Sequence, residues 1–199
     1  MTSSINAPLG NSATRAPTTR ILCLGNDILA DDALGFLVAD YLREFAFPEI
    51  NIVSSAESGF HLLDYVLEVH TLVVIDTVKT GLAPPGTIYQ LRPDEMQVVT
   101  GGSPHYIGLS ETLALARRLN LPVANNVLIF AVECSDCLTV GGEMSPAVRA
   151  AIPPLLGELR RLLATNCVSR PPPVSELKTC PCHKSFAIRA IGVRPTWKH

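Results

Sequence analysis

The chain has 199 residues, 18 Asp and Glu against 16 Lys and Arg, and a formal net charge of −2; 47% of it is hydrophobic and 17% charged. That length suits one domain with a sizeable core, and the near-neutral charge gives no electrostatic footprint for nucleic acid. No apolar run approaches the ~20 residues that a membrane span requires, so no membrane insertion is expected.

Residues 1–19 are expected to form a disordered tail. The opening MTSSINAPLGNSATRAPTTR lacks the apolar centre of a secretory signal, although Arg15, Arg20 and its acid-free Ser and Thr content resemble a transit segment. Residues 21–24 then read as a first strand, and residues 33–45 place Leu34, Leu37, Val38, Tyr41, Leu42 and Phe45 on one helical stripe. Residues 50–54 read as a second strand, followed by a helical pattern over 59–69 with Leu62, Leu63, Val66 and Leu67. Residues 72–76 and 127–132 are apolar nearly throughout, as parallel strands covered on both faces are. Between them, the turn Ala83-Pro84-Pro85-Gly86 introduces an edge strand over 86–91, and residues 110–119 carry Leu113, Ala116 and Leu119 on a third helix. Ser145-Pro146 starts a last helix, which Pro153-Pro154 is predicted to kink or split before residues 155–163 resume the pattern.

Strand and helix alternate, which implies an α/β three-layer sandwich: a twisted, mostly parallel sheet of about five strands flanked by helices, spanning residues 20–166. After Cys167, the run Arg170-Pro171-Pro172-Pro173 is a stiff, extended break. Residues 167–199 read as an appended basic tail, loosely attached or ordered by a partner.

In an open parallel sheet, ligands bind beyond the carboxyl ends of the strands. Strand one runs out into Gly25-Asn26-Asp27 and reaches Asp31-Asp32; strand two runs into Ser55-Ala56-Glu57-Ser58-Gly59. Strand three is expected to end at Asp76, and Ser103-Pro104-His105 to lie in the loop before the third helix. Asp32, Asp76 and His105 are therefore candidates for one cluster. Two carboxylates and an imidazole suit a borderline divalent ion such as nickel or zinc, with positions open for further ligands. Asp76 is the hardest to explain otherwise, because a carboxylate ending a buried apolar strand costs several kcal/mol unless paired or metal-bound. Asp31 is expected to cap the helix, Gly25 and Asn26 to be turn residues, and His105 has the alternative of a plain loop residue.

Six cysteines without a signal peptide point to reduced thiols in the cytoplasm. Cys134-Ser135-Asp136-Cys137 lacks the following helix of a thioredoxin-type pair. With Cys180, Cys182 and His183 it has the density of a structural zinc site, although unpaired thiols are the expectation. Cys23 reads as core packing.

The ordered segments GNDILADDALG, LVVIDTV and SPHYIGL, continued by NVLIFAVE and the Ser-Pro helix start, resemble the hydrogenase maturation endopeptidases over about residues 20–163. The resemblance implies an aspartic-type endopeptidase that trims the C-terminus of the large subunit of a nickel–iron hydrogenase. It implies Asp32, Asp76 and His105 as metal ligands and catalytic residues, and nickel supplied by the substrate, with zinc or cadmium able to substitute. The immature large subunit is then the partner, and the protease a cytoplasmic monomer. Two departures stand out: the family often has Glu where Asp32 stands, and commonly a Gly-Gly-Thr-x-Gly segment where this chain has Ser55-Ala56-Glu57-Ser58-Gly59. The alternatives are a non-catalytic metal-binding chaperone of the immature hydrogenase and a resident-zinc metallohydrolase.

Overall fold

The computed structural model describes residues 19–44, 50–95, 104–168 and 189–191, with side chains for all of these except 104–107, 165–168 and 189–191. The expected N-terminal tail thus lies almost wholly outside the described residues. Six strands form one sheet: β1 (Thr19–Leu24), β2 (Ile50–Ser55), β3 (Thr71–Val78), β4 (Ile88–Leu91), β5 (Asn126–Glu133) and β6 (Arg189–Ile191), in the order β2-β1-β3-β5-β4-β6. β1 pairs in parallel with β2 and β3, and β3 with β5, whereas β4 runs antiparallel to β5 and β6 antiparallel to β4.

The expected α/β sandwich is therefore present, with two differences at its edge. The stretch read as a tail contributes β6, which pairs Ile191 with Ile88. β4 is accordingly not an edge strand, because its outer hydrogen-bonding groups are taken up by β6.

Alternation along β3 divides the core in two. Val73 and Ile75 face one layer, packed with Ile21 and Cys23 of β1, with Leu34, Val38 and Leu42 of α1 (Leu34–Glu44), and with Val148, Leu155 and Leu159 of α4 (Pro146–Val168). Leu72, Val74 and Val78 face the other, with Leu62, Val66 of the short α2 (Leu63–Val66), and Leu109 and Leu113 of α3 (Pro104–Arg118). Arg20 closes α2 by donating from Nη1 to the carbonyls of Asp64, Tyr65 and Leu67, as cations do at helix C-termini. Among the described residues, no helix is long and apolar enough to cross a membrane.

Three element boundaries depart from the sequence reading. β3 continues past Asp76 to Val78, because β5 pairs with it to the end, Thr77 against Val132 and Val78 against Glu133. α3 starts at Pro104, so His105 stands in its first turn rather than in a loop; proline is suited to the first helical position, where its missing N–H would have no partner. α4 runs as one helix through Pro153-Pro154. The carbonyls these prolines leave without an N–H belong to Arg149 and Ala150, which are exposed, so water can satisfy them. The opposite face, with Ala151, Ile152, Leu155 and Leu159, stays anchored in the core.

Cys23 is fully buried, as expected for a packing residue, and desolvation pushes its thiol up to about 12. Since the thiolate is the reactive form, Cys23 should resist iodoacetamide at pH 8 in the folded protein. Mass mapping should find it alkylated only after denaturation; rapid labelling of the native chain would contradict this packing.

Candidate active site at the carboxyl edge of the sheet

Four buried carboxylates gather where the parallel strands end: Asp31 and Asp32 after β1, Asp76 in β3 and Glu133 closing β5. A buried carboxylate needs donors or a cation, and the four meet that need differently.

Asp31 is completely buried and accepts three backbone N–H groups: Ser135 (2.8 Å) and Asp136 (2.9 Å) at Oδ2, and Ser145 (2.6 Å) at Oδ1. It does not cap a helix, contrary to expectation. It sits inside the 3-10 turn Asp31–Ala33, whose N-cap residue is Ala30 and has no side-chain cap. Its carboxylate points away from its own helix and ties the β5–α4 loop, and the start of α4, to the β1–α1 loop. Backbone bonds reinforce the joint: Asp31 N–H to the Asp136 carbonyl (2.9 Å), Ala30 N–H to Thr139 (3.1 Å) and Gly141 N–H to Ile28 (2.7 Å).

Glu133 is likewise a tether. Its carboxylate accepts the N–H groups of Thr80 and Gly81 (both 2.8 Å), the Thr80 hydroxyl (2.5 Å) and the Tyr89 hydroxyl (3.0 Å), and so shapes the loop after β3. The apolar run NVLIFAVE ending in an acid carries the same sequence signal as VVID, yet the reading from sequence passed over Glu133.

Asp32 and Asp76 instead each bond Thr77, Asp32 from a distant loop and Asp76 as its chain neighbour. The Thr77 hydroxyl donates to Asp32 Oδ1 (2.6 Å), and the Thr77 N–H donates to Asp76 Oδ1 (2.7 Å). The geometry follows from strand alternation: Thr77 lies on the α1 side of the sheet, where Asp32 stands, and Asp76 on the α3 side. Gly25 makes room for Asp32. Its φ is +144°, and a Cβ there would come within 2.1 Å of the Asp32 carbonyl, so only glycine lets the loop cross so closely. Thr77 was not singled out from sequence, since a threonine in a strand carries no distinguishing pattern.

His105 is in the first turn of α3, and its side chain lies outside the described residues. The approach of that end of α3 to the loop after β2 is set by Gly108: a Cβ there would meet the Gly59 nitrogen at 2.1 Å. Thr112 adds a bond from its hydroxyl to the Gly59 carbonyl (3.0 Å). α3 thus begins beside the residues that leave β2, on the same side of the sheet as Asp76. Among the described residues, no group of three His, Cys, Asp or Glu side chains is placed to hold a metal.

Cys134 and Cys137 are joined in a disulfide, where unpaired thiols were expected. The turn after β5 brings their Cα atoms to 6.4 Å, within the span a disulfide bridges. Cys180, Cys182 and His183, the proposed zinc partners, lie outside the described residues.

Asp31→Ala removes a fully buried carboxylate and with it the acceptor of three part-buried N–H groups, each bond to a charged group being worth about 1.5–3 kcal/mol. The variant should lose at least ~3 kcal/mol of stability in urea unfolding, and Asp31→Asn, which keeps one acceptor oxygen, should lose less.

A family model described as hydrogenase maturation protease (HycI) matches residues 37–161. Asp76 and His105 fall inside that span and Asp32 just before it. The hydrogenase expression/formation protein HoxM of Azotobacter vinelandii is 31% identical over 158 residues, covering 77% of this chain and 75% of HoxM. The hydrogenase 2 maturation protease of Escherichia coli K12 is 26% identical over 156 residues, 76% of this chain and 94% of that protein. In structure, the chain resembles the hydrogenase maturating endopeptidase HybD from E. coli, with a TM-score of 0.66, 24% identity, and coverage of 74% of this chain and 93% of that one. HybD from Thermococcus kodakarensis gives a TM-score of 0.57 at 22% identity, over 72% and 97% of the two chains. This agreement sets aside a non-catalytic role. The chain belongs to the hydrogenase maturation proteases and is a peptidase.

Proposed function

We propose that this peptidase removes the C-terminal extension of the nickel-loaded large subunit of a nickel–iron hydrogenase. Asp32, Asp76 and His105 grip the nickel that the substrate carries, and zinc or cadmium can take its place there. The Thr77–Asp32 hydrogen bond, which brings Asp32 to the residue after Asp76 from 45 positions away, is the observation that carries this reading. It sets Asp32 beside the strand segment that carries Asp76, at the edge where sheets of this type bind ligands. The entry of α3 beside the same edge supports adding the imidazole of its first turn.

The donor chemistry is consistent with a metal that arrives with the substrate. Two carboxylates and one imidazole make an incomplete shell for a borderline ion, and the remaining positions belong to the ligands that hold nickel in the precursor. Metal insertion then becomes a checkpoint, because a nickel-free precursor lacks the ion through which it docks. Bound in this way, nickel polarises the scissile carbonyl or activates water. The two aspartates orient the ion and offset its charge, which makes the enzyme aspartic-type in its dependence on them. The protease works as a monomer in the cytoplasm, where the immature large subunit is assembled.

Asp32→Ala, Asp76→Ala and His105→Ala should each reduce cleavage of the nickel-loaded precursor below detection, as read by intact mass, while circular dichroism matches the wild type. The wild-type enzyme should leave the nickel-free precursor uncut. Normal processing by the His105 and Asp76 variants would reject this ligand set.

A further inference from the structure

Eight large apolar side chains stand exposed among the described residues, and their distribution is uneven. Five of them, Ile28, Phe60, Leu82, Leu138 and Val140, lie in the loops that leave the carboxyl ends of β1, β2, β3 and β5. Three share one structure. Leu29 pairs antiparallel with Val140, and the Gly141 N–H bonds the Ile28 carbonyl, so residues 28–30 and 139–141 form a short two-stranded ribbon. It exposes Ile28 (57%) and Val140 (71%), and Leu138 (77%) stands exposed at the residue that leads into it.

The ribbon is held firmly. The Asp31 carboxylate pins its base, the Cys134–Cys137 disulfide closes the turn leading into it, and Asp136 Oδ1 accepts the N–H groups of Leu138 and Thr139, both at 3.0 Å. Apolar groups kept exposed on a stiff frame gain nothing from folding; they are the pattern of a surface that buries on a partner, with the ordering cost already met.

We propose that this ribbon is the docking surface for the protein substrate: it receives an apolar, Lys/Arg-bordered patch of the folded precursor beside the segment to be cut. The inference rests on the proposed function and extends it to substrate binding. Two features select this occupant. The surface is continuous with the site, since Ile28 and Asp32 share the β1–α1 loop and the Asn26 N–H bonds the Asp32 carbonyl at 3.2 Å. The exposed charges of these loops are Asp27, Glu57 and Glu143 against Lys79, so the border is acidic. A second copy presenting the same edge would set acid against acid, whereas a basic border on the precursor complements it.

The test uses the full-length chain with Ile28→Ser, Leu138→Ser and Val140→Ser combined, acting on the nickel-loaded large-subunit precursor of a hydrogenase from the same organism. KM for the precursor should rise about tenfold or more, the scale of losing a small cluster of interface anchors, while kcat stays within about twofold. Leu138→Ser alone, at the most exposed of the three positions, should raise KM in the same direction if the triple variant folds poorly. The apolar replacement Leu138→Met should restore wild-type KM. An unchanged KM in the folded triple variant overturns the docking surface while leaving the protease reading intact. Wild-type self-association that the triple variant abolishes overturns it in favour of a second copy. A wild-type enzyme that cuts no nickel-loaded precursor rejects the proposed function itself, and the docking surface with it.

Discussion

A single carboxylate organises the working edge of this protein. Asp31 accepts N–H groups from residues 104, 105 and 114 positions further along the chain. Such charge-assisted bonds are each worth about 1.5–3 kcal/mol. Through them the β1–α1 loop, the β5–α4 loop and the first residues of α4 become one joint. Asp32 follows Asp31 directly, so its position is inherited from that joint rather than from its own contacts alone. A loop at the ligand-binding edge of a parallel sheet is intrinsically mobile; a buried tether next to Asp32 removes that freedom.

The buried acids of this edge divide by the company they keep. Asp31 and Glu133 are surrounded by protein donors, three and four respectively, and their charge is used up in holding loops. Asp32 and Asp76 share Thr77, one through its hydroxyl and the other through its backbone N–H. A threonine in a strand can serve both because its hydroxyl and its N–H reach different sides of the chain. The same edge therefore holds two acids that serve as loop tethers and two that bond Thr77 from different sides of the sheet.

Family membership fits this arrangement and marks where the chain is individual. Where the resemblance implies a glycine-rich segment this chain has Ser55-Ala56-Glu57-Ser58-Gly59, and Gly59 keeps a defined role, since it lies against Gly108 of α3. The C-terminal stretch beyond α4 adds β6 beside β4 and thereby covers an edge that would otherwise present unpaired backbone groups. The disulfide and the exposed residues that follow it lie in the loop after β5, which Asp31 ties to the loop that carries Asp32.

The sequence by itself determined the layers of the fold and the identity of Asp76, because both depend on local pattern. Apolar runs of strand length alternating with helical stripes specify a parallel sheet, and an acid at the end of such a run stands out from its neighbours. The strand-end rule set Asp32 and His105 beside Asp76 as candidates, and the resemblance in motif order implied the same three residues. What the tertiary structure decided is everything that depends on a distant partner. Asp31 looked like a helix cap because a cap is the local use for an aspartate before a helix, whereas its donors lie more than a hundred residues away. β3 runs past Asp76 only because β5 is there to pair with it, and Cys134 and Cys137 join only because the turn between them closes. Thr77 and Glu133 acquired their roles in the same way. Hydrogen-bond partners across a sheet edge are set by register and crossover, which no window along one chain contains.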